Sequence, residues 1–156
     1  GASLAGAPGV LAEAHWRAGR LGEGLHLARE AVKRADGGAA VPWHAPARLP
    51  LAAMLTHLRQ TAEAAAAVDA LADEIARRGA PVLRGVPLIL GSCLALARGA
   101  LTDAVTRAGA GLAIAEEAGM PLYAPLGWAV LVEAALRRGD LAGAEAHARR
   151  LAAAAE

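Results

Sequence analysis

Apolar residues recur along the chain in blocks with helical spacing, and short polar or glycine-containing turns separate these blocks. One turn recurs at a fixed interval: its first residue lies 40 positions from its counterpart in the next block, at Gly19, Arg59, Gly99 and Gly139. A fixed period of this length is typical of solenoids, in which similar supersecondary units stack on one another. The pattern therefore predicts four repeating units.

A second kind of break divides the units into halves. Glycine followed within a few residues by proline occurs at 37–42, 79–81 and 119–121. Glycine beyond a helix end and proline at the next start are the usual boundary between two helices. Each unit is thus predicted to be a pair of antiparallel helices, with spans of 4–18, 21–36, 44–58, 61–78, 82–98, 101–118, 122–138 and 140–155.

Small residues occupy matched columns in the second helix of each pair. Residues four apart share one helical face, and small side chains there allow two helices to approach closely. The first column holds Gly24, Ala64, Ala104 and Ala144, and the second holds Ala28, Val68, Ala108 and Ala148. We expect both columns to face neighbouring helices.

These columns resemble the tetratricopeptide repeat, which has a large residue, then Leu and a small residue, a glycine-containing turn, and Ala five residues later. In the last unit the matching residues are Trp128, Leu131, Val132, Gly139 and Ala144. The resemblance implies one all-α domain over 1–156, a right-handed superhelix of four helix-turn-helix units with eight antiparallel helices. The period of about 40 exceeds that of the family, so the helices would be about a turn longer.

A narrower resemblance covers about the last 60 residues. The segments 96–101, 112–122 and 134–141 resemble the C-terminal helical region of the large ATP-binding LuxR-type (LAL) transcriptional regulators of actinobacteria. This implies a cytoplasmic signalling protein whose ATPase and DNA-binding domains lie outside this segment. Because the helical pattern runs to the last residue, we expect a fragment of a larger multidomain protein.

The composition narrows the range of partners. Of the 156 residues, 56% are hydrophobic but only 3% aromatic, so the apolar mass comes in small units that suit closely packed helices. The 16 basic and 15 acidic residues alternate without a basic stripe, which argues against direct contact with nucleic acid. The longest apolar run, 86–97, is shorter than the roughly 20 residues of a membrane span. We therefore expect contact with neither nucleic acid nor membrane.

The sequence carries no recognisable signature of catalysis. A phosphate loop, an HExxH helix and a GxSxG elbow are all missing, and the glycine cluster at 109–111 lies within a helical pattern, where it is predicted to admit a neighbouring helix. The single Cys93, flanked by apolar residues, is predicted to be a buried structural thiol in a reducing compartment. No metal ligand set is expected from the dispersed histidines His15, His26, His44, His57 and His147, and no cofactor is expected.

The tetratricopeptide resemblance places the first helix of each pair on the concave face of the superhelix. Trp16 lies between charged residues there, and such a group can anchor a ligand, because the aromatic ring supplies area and the charges fix orientation. The alternative is that Trp16 belongs to the core, and Trp43, Tyr123 and Trp128 are assigned to packing. The exposed positions predicted for this face are Glu13, Trp16, Arg17, Ala53, His57, Cys93, Glu133 and Arg137.

Three functions remain open at this point. The first is a non-catalytic sensor or interaction domain of a signalling or transcriptional regulator, which binds a protein, a peptide or a small-molecule effector. The second is a scaffold that self-associates, for instance as a homodimer, through the end helices 4–18 and 140–155, since 151–155 offers little polar surface. The third is an enzyme with an unrecognised helical active site.

Overall fold

The computed structural model describes residues 7–38 and 46–154. These residues form α-helices and two 3₁₀ turns, Pro81–Leu83 and Pro121–Tyr123, without any β-strand, which confirms the all-α prediction. Trp43, His44 and three ends of predicted helices, residues 4–6, 44–45 and 155, lie outside the described residues. Within the described residues there are eight α-helices: α1 (Ala7–Arg17), α2 (Leu21–Asp36), α3 (Arg48–His57), α4 (Thr61–Arg78), α5 (Gly85–Ala97), α6 (Leu101–Glu117), α7 (Ala124–Arg137) and α8 (Leu141–Ala154).

The first helix of each pair begins with a proline at its second or third position. These prolines are Pro8, Pro50, Pro87 and Pro125. Proline lacks an N–H group and clashes with the preceding helical turn, so it is tolerated only where that N–H would lack a partner within the helix. The predicted starts at 44, 82 and 122 are therefore wrong: α3, α5 and α7 begin two to four residues later, because each helix begins close to its proline.

The 40-residue turn has one conformation in all four units. Gly19, Gly99 and Gly139 have φ of 76°, 76° and 75°, and Arg59 has φ of 56°, so all four are left-handed. In each turn the next residue donates its N–H to the carbonyl five positions earlier, as Arg20 does to His15 and Gln60 to Leu55. This is the hydrogen bond that closes a Schellman helix end. The recurrent turn predicted from sequence is thus confirmed, including in the unit that lacks glycine.

The contacts divide the chain into two compact units, Gly1–Ala80 and Pro81–Glu156. In the first unit, α1 packs on α2, α3 on α4, and both α1 and α2 contact α3. In the second unit, α5 packs on α6, α7 on α8, and both α5 and α6 contact α7. The two units therefore repeat the same set of helix contacts.

The small-residue columns lie in the core, as predicted, with one exception. Gly24 is buried, as are Ala64, Ala104 and Ala144, and the second column is buried at Ala28, Val68 and Ala108. The exception is Ala148 on α8, which is exposed, so the prediction is wrong for that residue. Among the described elements, α8 makes its principal helix contact with α7, and the face that carries Ala148 is left to solvent.

Two glycines lie at a close approach of α5 and α6 in the second unit. A Cβ atom on Gly111 of α6 would lie 2.7 Å from Ile89 Cγ1 and 2.9 Å from the carbonyl oxygen of Gly85 on α5. The predicted role of the glycine cluster in admitting a neighbouring helix is confirmed for Gly111. Gly109 is exposed and meets no such neighbour.

None of the described helices combines the length and the apolar character that crossing a membrane requires.

Candidate functional site

In the first unit, an aromatic pair joins α1 to α3. The rings of Trp16 and His57 have centroids 6.1 Å apart and planes inclined by 62°, which is an edge-to-face contact. Trp16 is half-buried against a core cluster formed by Ala12, Ala28 and Met54, while His57 is exposed. The two sequence interpretations of Trp16 are thus combined in one residue: part of the indole belongs to the core and part reaches solvent.

A charged pair lies on the same stretch of α1. Arg17 donates from Nη2 and Nε to Glu13 Oε1 at 2.6 and 3.1 Å. Glu13 is three residues before Trp16 and four before Arg17, so it neighbours each of them on the surface of the helix. An exposed pair of this kind stabilises the fold by only about 0–1 kcal/mol, and it keeps both charged groups at the surface. We call Glu13, Trp16, Arg17 and His57 the α1–α3 cluster.

Ala53 does not belong to this exposed surface. It is only 2% exposed, so the prediction that it is an exposed residue is wrong. Every residue from 52 to 56 is buried, because α3 is covered almost all round. A small residue in such a helix contributes to packing.

In the second unit, Glu133 and Arg137 repeat the charged pair of α1, each 120 residues later. Arg137 donates from Nε to Glu133 Oε1 at 3.0 Å, and from Nη1 to the carbonyl oxygen of Leu96 at 3.2 Å. The second bond supplies a donor to a carbonyl in the last turn of α5. Both residues are exposed, but Arg137 also has this structural contact.

Cys93 on α5 is partly buried and packs against the core cluster of the second unit, which contains Ala95 and Leu131. The prediction that Cys93 is an exposed residue of the concave face is therefore wrong. Burial raises the pKa of its thiol, and a hydrogen bond with Ser92 offsets only part of that effect. A raised pKa lowers the fraction of the reactive thiolate at neutral pH. These properties favour the structural interpretation of this thiol over a reactive one.

The sequence interpretation missed an ionic cluster around Glu74 of α4. Glu74 is 2% exposed, and its two oxygens accept hydrogen bonds from the backbone N–H groups of Ala47 and Arg48 at 3.1 and 3.2 Å. Arg78 Nε lies 3.0 Å from Glu74 Oε1, and Arg48 also pairs with Asp36. The carboxylate therefore caps the start of α3. One available signal was that Glu74 is charged where Ile114, its counterpart 40 residues later, is apolar.

The pKa of Arg48 reflects the same cluster. Burial lowers it, but the hydrogen bond to Asp36 and the charges of Asp36 and Glu74 outweigh burial, so that the pKa lies above its ordinary value. The guanidinium thus remains charged in the folded protein.

A cavity of about 400 Å³ lies in the second unit between the end of α6, the start of α7 and the end of α8. Its wall is mostly apolar and includes Trp128, which is half-buried and packs on the core as predicted. The guanidinium carbon of Arg150 lies 5.2 Å from the Trp128 ring centroid, and Arg150 Nη2 lies 3.5 Å from Glu116 Oε1. The cavity therefore combines an aromatic wall with one charged pair, in a region the sequence interpretation did not select.

Within 7–38 and 46–154, no three His, Cys, Asp or Glu residues are grouped closely enough to hold a metal ion.

Comparison with known proteins does not identify a function, so the functional conclusion depends on the residues of this chain. The chain matches no protein-family model, and comparison with curated proteins and with solved structures gives no match.

Proposed function

We propose that this chain is a non-catalytic interaction domain, built as a right-handed superhelix of the tetratricopeptide kind, in a cytoplasmic signalling or transcriptional regulator of the LuxR type. Two features support the repeat assignment: the left-handed turn every 40 residues, and the same helix contacts in both compact units. The regulator assignment rests on the sequence resemblance of 96–101, 112–122 and 134–141. In this proposal, catalysis and DNA binding belong to other domains.

The proposed ligand is a peptide segment of a partner protein, bound at the α1–α3 cluster. The observation that carries this is the edge-to-face contact of Trp16 with His57, since it presents part of a large aromatic ring at the surface beside a fixed charged pair. Partly exposed Trp and Arg are the residue types most enriched among strong contributors to protein binding. An apolar anchor on the peptide would pack on the rings, and polar groups beside it would meet Glu13 and Arg17.

Selection from a displayed library of random peptides tests this site. We expect the unaltered protein to enrich a related set of peptides, and the double variant Trp16→Ala with Arg17→Ala to lose at least tenfold in affinity for them. Because Trp16 also packs in the core, the variant His57→Ala with Arg17→Ala supplies a second test that leaves the core intact.

The matched control is Arg149→Ala. Arg149 pairs with Glu145 at 2.7 Å, four residues apart on an exposed helix, as Arg17 pairs with Glu13. This variant removes a charge of the same kind and should retain full affinity. Selected peptides that bind all three variants equally well would rule out the α1–α3 cluster as the binding site.

The cavity beside Trp128 favours a second candidate, the binding of a small-molecule effector. Its volume of about 400 Å³ lies within the range of about 300–1,000 Å³ that is usual for ligand pockets. A thermal-shift screen against a panel of small aromatic and sugar metabolites tests this candidate. Compounds that stabilise the protein should no longer do so with Trp128→Leu, whereas unchanged shifts in that variant would place the compounds elsewhere.

A further inference from the structure

An apolar face on α7 and α8 is left open in the described structure. Leu136 is 53% exposed and Leu141 is 71% exposed, and Ala148 is also exposed. A groove of about 430 Å³ crosses this surface and is lined in part by Val132, Leu136 and Leu151. We call Leu136, Leu141, Ala148 and Leu151 the tail face.

The positions equivalent to Leu136 and Ala148 are packed against another helix where a further helix pair follows within a unit. Ala108, the counterpart of Ala148 on α6, is 0% exposed and lies in one core cluster with Val130 and Leu131 of α7. Leu96, the counterpart of Leu136, packs against that cluster. In the second unit, α7 therefore covers the face that corresponds to the tail face.

The first unit repeats this arrangement independently. Ala28 of α2 belongs to the same column as Ala108 and Ala148, and it is also 0% exposed. Its cluster includes Met54 of α3, the next first helix. Both units thus show that this column is built to receive the first helix of a helix pair.

The helix α1 carries the residues needed for that role. Val130 of α7 is only 3% exposed, whereas its counterpart Val10, 120 residues earlier, is 64% exposed; Leu131 is 8% exposed and its counterpart Leu11 is 49% exposed. Three apolar residues of α1 are identical to their counterparts in α7: Val10 to Val130, Leu11 to Leu131, and Ala14 to Ala134. We call Val10, Leu11 and Ala14 the head face.

We propose that copies of this chain associate head to tail, with the head face of one copy docked on the tail face of another in the manner in which α7 docks on α5 and α6. The contact joins two different surfaces, so it is heterologous and links copies into rings or open chains. The residues that define the two faces lie outside the α1–α3 cluster, so variants that test this contact leave the proposed peptide site intact, and failure of the association would not bear on peptide binding.

Sedimentation over a range of protein concentrations tests the association. The average mass of the unaltered protein should rise with concentration, and Val10→Asp and Leu136→Asp should each keep the protein monomeric, because a buried charge without a partner opposes docking. Leu122→Asp is the matched control: Leu122 is 51% exposed, lies outside both faces, and its replacement should leave the association unchanged. Far-ultraviolet circular dichroism verifies the fold of each variant, and Ala14→Glu replaces Val10→Asp if that variant is unfolded.

Mixing the two monomeric variants distinguishes head-to-tail docking from other contacts. Val10→Asp retains an intact tail face and Leu136→Asp an intact head face, so an equimolar mixture should form a heterodimer and nothing larger. A monomeric unaltered protein at all concentrations overturns the proposal. Continued association of either variant alone, or a mixture that remains monomeric, also overturns it.

Discussion

Replacement of Gly111 by alanine tests whether α5 and α6 meet at the close approach described above. The new Cβ would lie 2.7 Å from Ile89 Cγ1, 2.9 Å from the Gly85 carbonyl oxygen and 3.1 Å from the Ile89 nitrogen. Ordinary contacts between carbon atoms lie near 3.5–4.0 Å, so the two helices would have to move apart. Two of the three obstacles are backbone atoms, and a side-chain rotation does not relieve them.

The magnitude follows from two opposing effects. Overpacking of a close helix contact costs about 1–3 kcal/mol in the free energy of unfolding. Alanine in place of glycine within a helix gains about 1 kcal/mol. Gly111→Ala should therefore be less stable than the unaltered protein by about 0–2 kcal/mol.

Gly109 supplies the control in the same helix. It is exposed, and a Cβ there meets nothing within 4 Å, so Gly109→Ala should be more stable by up to about 1 kcal/mol. The gain in helix propensity is common to both variants, and the difference between them isolates the overpacking cost of about 1–3 kcal/mol. Urea denaturation followed by circular dichroism measures it. Equal stabilisation of both variants would refute the close contact between α5 and α6.

Three further predictions concern single residues. Arg59→Gly should raise the free energy of unfolding by up to about 1 kcal/mol, since relief of the left-handed conformation, worth about 1–2 kcal/mol, exceeds the extra freedom of the unfolded chain; a lower urea midpoint would contradict this. Glu74→Ala should cost about 3–5 kcal/mol, because buried donors and arginines lose their acceptor, and a thermal midpoint equal to that of the unaltered protein would show that the cap is dispensable. Alkylation of Cys93 near pH 8 should be slower in the folded than in the unfolded protein, and equal rates would contradict the burial of this thiol. Because the pKa of Cys93 is raised in the folded state, its contribution to stability is complete below the unfolded-state pKa and is lost as the pH rises through the folded-state pKa.

The repeat was predictable from sequence because its signals are local. A left-handed turn position and a small residue five positions later recur at constant spacing, and both properties depend mainly on the residue itself. At Arg59 the residue type gives no such signal, because its side chain disfavours the left-handed conformation. The turn was predicted there from the 40-residue period alone, and the prediction is correct. The helix starts were less well predicted, since the prolines near the first positions of α3, α5 and α7 were not used as boundaries.

The candidate site was predictable only in part, because exposure depends on tertiary packing. The positions of Glu13 and Arg17 four residues apart sufficed to place them on one face. Ala53 was predicted to be exposed on the concave face, but the helices packed around α3 bury it. Glu74 bonds Ala47 and Arg48, which lie 27 and 26 positions earlier in the sequence, and the 40-residue period does not relate these positions. The only signal in the sequence is the contrast between Glu74 and its apolar counterpart Ile114.

The central claim is that four equivalent turns at 40-residue intervals organise the chain, and Arg59 is its most demanding case. Solution NMR tests the claim directly, because a residue with positive φ has a short intraresidue distance between its amide and α protons and gives a strong cross-peak between them. We expect this cross-peak at Arg59, together with helical chemical shifts in the segments 48–57 and 61–78 on either side. A weak cross-peak at Arg59, or chemical shifts typical of strands in either segment, would contradict the claim.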